Sequence, residues 1–187
     1  MTPTAKSQVL EYVESFVTAA ILAAVIIIFI GQNFVVQGSS MEPNLHNRER
    51  LFVEKLSYRF RAPKRGEVVV FKYPAHPRRK FIKRVAGIPG DEVKIRENKV
   101  YVNGAKLEED YLDSLTYGDF GPVYVPPGHL FVLGDNRNNS EDSRFQDVGF
   151  VPYENVVGRA CFRWWPPTKM TVIRRPGVFL QLDKAAQ

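Results

Sequence analysis

From Ser15 to Ile30 the chain carries no charged residue, and Ala23-Ala24-Val25-Ile26-Ile27-Ile28-Phe29-Ile30 is apolar throughout. Gly31-Gln32-Asn33 dilutes this run before Phe34-Val35-Val36 resumes it, which gives 22 residues from Ser15 to Val36. A helix that crosses a bilayer needs about 20 such residues. A soluble core helix is rarely apolar on every face over that length. The pattern predicts one N-terminal transmembrane helix over 15–36, preceded by a short tail, 1–14. A cleavable signal peptide is the competing reading, with Val36 and Gly38 as small residues near a cut. Yet the run is longer than the usual h-region, and Glu11 and Glu14 stand where positive charge is expected. The run is therefore read as a retained anchor.

After Val36 the pattern changes to short strands separated by turns. Glu67-Val68-Val69-Val70-Phe71-Lys72-Tyr73 is rich in β-formers and stops at Pro74. Phe81-Ile82-Lys83-Arg84-Val85-Ala86-Gly87 is another strand, closed by Ile88-Pro89-Gly90-Asp91. Val93-Lys94-Ile95 and Val100-Tyr101-Val102 flank Glu97-Asn98 as a hairpin, and Asn103-Gly104 is a further tight turn. His129-Leu130-Phe131-Val132-Leu133 runs into Gly134-Asp135-Asn136, and Tyr111 to Gly121 reads as an exposed polar loop. Val178-Phe179-Leu180-Gln181-Leu182 is too short to cross a bilayer, so one span is expected. The expected fold is mainly β: an antiparallel sheet or barrel-like domain over 37–187, closed or split into two packed sheets, on a helical anchor.

Charge changes the picture little. The whole chain carries +6 at pH 7, and the first 36 residues hold only Lys6 against Glu11 and Glu14. The basic residues after the anchor are scattered, apart from Arg59, Arg61, Lys64 and Arg65, and from Arg78-Arg79-Lys80. On a tethered domain lipid headgroups, rather than nucleic acid, are the expected partner. Lys and Arg counts flanking the run weakly favour placing the large domain inside the membrane barrier, but long domains translocate despite their charge. The single cysteine, Cys161, sits in a partly apolar strand and reads as a buried core thiol. His46, His76 and His129 share no ligand spacing, so neither metal nor cofactor is expected.

With no histidine beside a promising serine, the chemistry to look for is a serine activated by a neutral lysine. Lysine's ordinary pKa of about 10.4 keeps it charged at neutral pH, and burial among apolar groups lowers it. Lys83 fits that need, since Phe81 and Val85 share its face in a strand. The plainer alternative is an exposed edge-strand lysine among Arg79, Lys80 and Arg84. Gly38-Ser39-Ser40-Met41 is the candidate nucleophile turn, where Ser39 and Ser40 are equal on chemistry alone. A backbone amide there, that of Ser40, would serve an oxyanion. The polar stretch Gly134 to Arg144 offers a possible ion pair, Asp142 with Arg144, and a serine hydroxyl to orient a lysine, or else an ordinary polar turn.

Four segments in order resemble the signature boxes of bacterial type I signal peptidases. They are Gly38-Ser39-Ser40-Met41-Glu42-Pro43-Asn44-Leu45, Arg65-Gly66-Glu67-Val68-Val69-Val70-Phe71, Lys83-Arg84-Val85-Ala86-Gly87-Ile88-Pro89-Gly90-Asp91, and Gly134-Asp135-Asn136 through Ser140, Asp142, Ser143 and Arg144 to Gly149-Phe150-Val151-Pro152. The resemblance implies Ser40 as nucleophile, because the family's serine directly precedes Met. It also implies Lys83 as general base, Ser140 as the hydroxyl that orients the lysine, and Asp142 with Arg144 as a structural ion pair. It implies cleavage of signal peptides from exported preproteins after small residues, near the translocation machinery. The N-terminus would be cytoplasmic and the catalytic domain on the outer face of the plasma membrane, or on a thylakoid membrane. Gly38 stands where many members have a serine that lines the oxyanion hole, so the Ser40 amide is expected to carry that role. Asn44 replaces the common Thr after Pro43. The short stretch 92–133 implies a reduced second subdomain. Two other readings remain for such a sequence: a self-cleaving Ser–Lys protease of the SOS-repressor type, and a non-enzymatic membrane-tethered β domain.

Overall fold

The computed structural model describes residues 5–25 and 31–185. Helix α1 spans Ala5–Val25. The predicted single helix through Val36 does not form, because Gly31–Val35 is strand β1, paired antiparallel with β2, Arg50–Glu54. The sequence-based boundary at 36 therefore falls inside the β domain: Val36 is buried in its core, with Met41 and Leu45. Residues 26–30, the most apolar part of the run, lie outside the described residues. Among the described residues no helix is long and apolar enough to cross a membrane. Phe16, Val17, Ile21 and Leu22 of α1 are exposed.

The β domain holds two antiparallel sheets. After β2 and a short helix, α2 (Ser57–Phe60), come β3 (Val68–Lys72) and β4 (Lys80–Gly87). Strands β5 (Glu92–Arg96), β6 (Lys99–Val102), β7 (Ala105–Lys106) and β8 (Phe120–Tyr124) follow. Then come β9 (His129–Leu133), β10 (Val151–Pro152), β11 (Val156–Trp165), β12 (Thr171–Val172) and helix α3 (Gly177–Ala185). The large sheet runs β1-β2-β11-β3-β4-β9-β10, with β12 beside β11; the small one runs β7-β6-β5-β8. The small sheet is the expected second subdomain, but β9 returns to the large sheet and pairs with β4, so that unit stops at Tyr124. Its two hairpins turn where expected: Glu97, Asn98, Asn103 and Gly104 all take positive φ, as turns of the type I′ family require.

Strand β3 shows why the large sheet forms. Its side chains alternate between two apolar clusters, Val68 and Val70 entering one, Val69 and Phe71 the other. A strand buried on both faces reads as a continuous apolar run rather than an alternation, and Val-Val-Val-Phe is such a run. The third cluster lies under the small sheet and takes Phe179 from α3, which is fully buried. Phe179 sits against Gly66, where a Cβ would lie 2.7 Å from its ring. Cys161 is half-buried rather than a core thiol; its side chain points to the Phe52 carbonyl.

Candidate active site

The turn from Val36 to Leu45 is held from below and from the side. Val36, Met41 and Leu45 are buried beneath it, and the Leu45 amide donates to the Met41 carbonyl at 2.8 Å. Gly38 takes φ +84°, a conformation that glycine adopts without the steric cost other residues meet. From the side, the Asn136 amide donates to the Ser40 carbonyl at 3.0 Å. Asn136 Nδ2 donates to the Ser39 carbonyl and Asn139 Nδ2 to Ser39 Oγ, at 3.2 and 2.9 Å. The two serines that chemistry alone left equal are thus distinguished. Ser39 is taken up by Asn139, whereas Ser40 Oγ lies 2.7 Å from Lys83 Nζ. The Ser40 N–H donates to no group among the described residues.

Lys83 is buried in the middle of β4, opposite Val69 of β3. Its Nζ stands 5.3 Å from the centre of the Phe81 ring. Burial pushes its pKa down to about 8, against the opposing pull of Asp142, Glu141 and Asp135, which favour the ammonium. Burial wins because taking an ammonium out of water costs more than distant carboxylates return. The exposed edge-strand alternative does not hold, since only Lys80 at the start of β4 is exposed. Arg84, expected on the opposite face, is also buried. Its Nε and Nη2 donate to Asp135 Oδ1 and Oδ2 at 2.8 and 2.6 Å, and its Nη1 to the Gly66 carbonyl at 2.9 Å.

The polar stretch from Gly134 packs against both groups. Arg144 donates to Asp142 through Nε and Nη2, at 2.8 and 2.9 Å. Asp142, fully buried, also accepts from the Gly134 amide at 3.0 Å. Ser140 Oγ is buried without a hydrogen-bond partner among the described residues. It is not hydrogen-bonded to Lys83, whose Nζ donates to Ser40 instead. Both Ser140 and the Ser40 carbonyl press on Gly134: a Cβ there would lie 2.1 Å from Ser140 Oγ and 2.6 Å from Ser40 O.

Several residues at this site escape sequence reasoning. Asn44 Nδ2 donates to Asp135 Oδ2 at 2.9 Å and to the Tyr111 carbonyl at 3.0 Å, tying the serine turn to the Arg84 pair. Arg137, buried, donates to the Gly134 carbonyl, to Thr116 and to Glu109, so the loop after β7 braces the Gly134 segment. Thr116 is correspondingly buried inside the loop read as exposed. The signal that could have found them is the excess of Asn and Arg in a stretch with strand on both sides. Among the described residues, no group of His, Cys, Asp and Glu is placed to hold a metal ion.

Ser40 and Lys83 open into a cleft of about 730 Å³. One wall is Gln32 to Val35 of the edge strand β1; the other is Arg78 to Lys83, with Glu141. Three strands separate β1 from β4 in the sheet, so the sheet curls to bring them face to face.

Comparison with known proteins places this chain in a family. Residues 9–165 match the family model described as signal peptidase, peptidase S26. A probable signal peptidase I-2 of Synechocystis is 46% identical over 169 residues, covering 88% of this chain and 77% of that protein. Thylakoidal processing peptidase 1 of Arabidopsis thaliana is 42% identical over 147 residues, 73% of this chain and 42% of that one. A crystal structure of a signal peptidase I from Enterococcus faecalis aligns with TM-score 0.47 and 34% identity, over 53% of this chain and 97% of that chain. With a family model that spans most of its length and a relative this similar over most of both chains, the protein belongs to the signal peptidase family, peptidase S26.

Proposed function

We propose that this chain is a signal peptidase that cuts exported preproteins after small residues, with Ser40 as nucleophile and Lys83 as general base. The observation that carries the mechanism is the 2.7 Å contact between Ser40 Oγ and the buried Lys83 Nζ. A lysine with pKa about 8 is neutral in roughly a tenth of molecules at pH 7, against well under a thousandth for an ordinary lysine. Neutral Lys83 takes the Ser40 proton as Oγ attacks the scissile carbonyl carbon. The Ser40 N–H, unpaired among the described residues, receives the developing oxyanion. The Lys83 ammonium then protonates the leaving amine and the C–N bond breaks, leaving an ester on Ser40. Lys83, neutral again, takes a proton from water as its oxygen attacks the ester. The same proton returns to Ser40 when the acid product leaves.

Ser140, Asp142 and Arg144 belong to the same proposal. Arg144 fixes Asp142, Asp142 fixes the Gly134 amide, and Ser140 Oγ is left buried beside Gly134 with a proton to spare. That supports Ser140 as the hydroxyl that steadies Lys83 in its neutral state. The edge strand β1 supports binding of the substrate as an added strand along the cleft.

Attachment to a membrane through the N-terminal run is part of this reading. The exposed apolar side chains of α1 support it, with the anchor starting at about Ser15, ending before Gly31 and the catalytic domain following. The N-terminus would be cytoplasmic and the domain on the outer face of the plasma membrane, or the equivalent face of a thylakoid, close to lipid headgroups and to the translocation machinery. The test is cleavage of a purified preprotein by the full chain and by Ser40→Ala. The variant should lose cleavage while keeping its folded spectrum; retained cleavage would remove Ser40 from the mechanism, and no cleavage by either chain would leave the non-enzymatic docking domain as the better account. Recovery of the chain in the soluble fraction, with cleavage of itself only, would favour the self-cleaving alternative.

A further inference from the structure

Of the two basic clusters in the sequence, the fold uses one. Arg61 pairs with Glu67, and Arg65 with Asp91 and Asp183. The other, Arg78-Arg79-Lys80, forms no ion pair among the described residues, and all three residues line the cleft that holds Ser40 and Lys83. Arg79 differs from its neighbours in being held. Tyr73 and Phe81 stack with ring centres 4.4 Å apart and planes 11° from parallel. The Arg79 guanidinium lies 5.6 Å from the first ring and 5.4 Å from the second. Cation–π contacts of this kind fix a guanidinium without consuming its hydrogen-bond donors. The nearby carboxylates, Glu141 and Asp147, act on the Tyr73 hydroxyl, Glu141 by accepting its hydrogen bond at 2.7 Å.

A fixed guanidinium on a cleft wall, its N–H donors unshared among the described residues, is a receptor for a carboxylate. Its distance from the chemistry limits where that carboxylate can be. Arg79 and Lys83 both stand on the Phe81 ring, at 5.4 and 5.3 Å from its centre. They are therefore no farther apart than those two distances together, the span of about three extended residues. The segment before the cut is largely apolar and carries small residues at set positions, whereas every residue just after the cut is free to be acidic. We propose that Arg79 is a specificity-determining residue that favours preproteins bearing Asp or Glu within the first three residues of the mature part.

This rests on the proposed peptidase function, and the experiment separates the two. Matched preproteins carrying Asp or Asn at each of the first three mature positions are cleaved by the full chain in a neutral detergent. The ratio of kcat/KM, acidic over neutral, is the readout. It should be about two- to fivefold at one of these positions, as for a partly exposed ion pair, and should fall at higher salt. Arg79→Gln should bring the ratio to one, and Arg79→Glu should invert it. Arg78→Gln should keep it. Cleavage of both substrates with a ratio of one by the native chain overturns the specificity proposal alone; cleavage of neither overturns the peptidase reading and this proposal with it. Loss of the ratio in Arg78→Gln as fully as in Arg79→Gln would assign it to diffuse charge and overturn the role of Arg79. So would an Arg79→Gln defect equal for both substrates and present only on phosphatidylglycerol vesicles, which would assign the residue to lipid headgroups.

Discussion

Gly134 and Ser140 are in such close contact that no other residue fits at 134. A Cβ there would stand 2.1 Å from Ser140 Oγ and 2.6 Å from the Ser40 carbonyl oxygen. The Ser40 carbonyl cannot yield cheaply, because it is tied to the Asn136 amide, and Gly134 cannot back away, because its own amide is tied to Asp142. Gly134→Ala should therefore displace the serine turn from Lys83. Preprotein cleavage is expected to fall by about a hundredfold, the effect of misplacing a reacting group by about 1 Å, with a stability loss of about 1–3 kcal/mol from overpacking. Steady-state kinetics and thermal unfolding of the same variant check both parts.

Asn44 acts at the opposite side of the turn. Its amide donates to Asp135 and to the Tyr111 carbonyl, and Asp135 is already paired with Arg84, the neighbour of Lys83. Asn44→Thr retains one donor and should keep most of the activity. Asn44→Asp places a second carboxylate against buried Asp135 and should lower kcat by at least about tenfold, since a like charge beside a buried group costs more than a lost hydrogen bond. Kinetics of the two variants side by side provide the measurement; equal activity in both would remove Asn44 from the positioning of Ser40.

Burial of Lys83 has a cost that folding measurements can read. Its folded pKa, about 8, lies below that of the unfolded chain, near the ordinary lysine value. Between those values the unfolded chain binds more protons, so stability rises with pH there; below about pH 8 the penalty for burying the ammonium is present in full. Lys83→Met should therefore be inactive yet more stable than the native chain at pH 7. The advantage should shrink as pH rises from about 8 toward 10.4. Denaturant unfolding at pH 7 and pH 10 checks the sign; a less stable Lys83→Met at pH 7 would contradict the burial argument.

The C-terminal helix α3 is joined to the domain through Phe179 and Asp183. Phe179 is fully buried in the cluster under the small sheet, and Asp183 accepts from Arg65 and Arg175. Phe179→Ala should cost about 3–5 kcal/mol. Phe179 reaches the site only indirectly, through Gly66, whose carbonyl accepts from Arg84, so the thermal midpoint should fall well before kcat measured below it. Differential scanning calorimetry together with low-temperature kinetics tests this.

The strands were the most legible part of the sequence. Val68 to Phe71, the two tight turns of the small sheet and the strand carrying Lys83 announce themselves through local rules. The elements that escaped depend on distant partners. Phe34-Val35 is as apolar as a membrane segment and becomes strand because Arg50–Glu54 offers it a ladder. Helix α3 is only nine residues long, so its stability comes from docking rather than from its own propensity. At the site, physical reading points to Lys83, to the Asp142–Arg144 pair and to either Ser39 or Ser40, while family likeness selects Ser40, adds Ser140 and implies the role of each. On local chemistry alone Ser39 is level with Ser40, because the partner that occupies Ser39, Asn139, lies a hundred residues away. Asn44, Asp135, Arg84 and Arg137 stayed hidden because a buried arginine and an exposed one look alike until the partner is in place.

The pH dependence of cleavage tests the central claim most directly. With the full chain and a preprotein carrying a small-residue cut site, kcat/KM should rise through pH about 8, the value that burial sets for Lys83, as the free enzyme's lysine loses its proton. Lys83→Arg should be inactive at every pH, because its guanidinium cannot become a neutral base. A rising limb near 6.5, where an ordinary histidine titrates, that persists after substitution of Lys83 would contradict the Ser40–Lys83 pair.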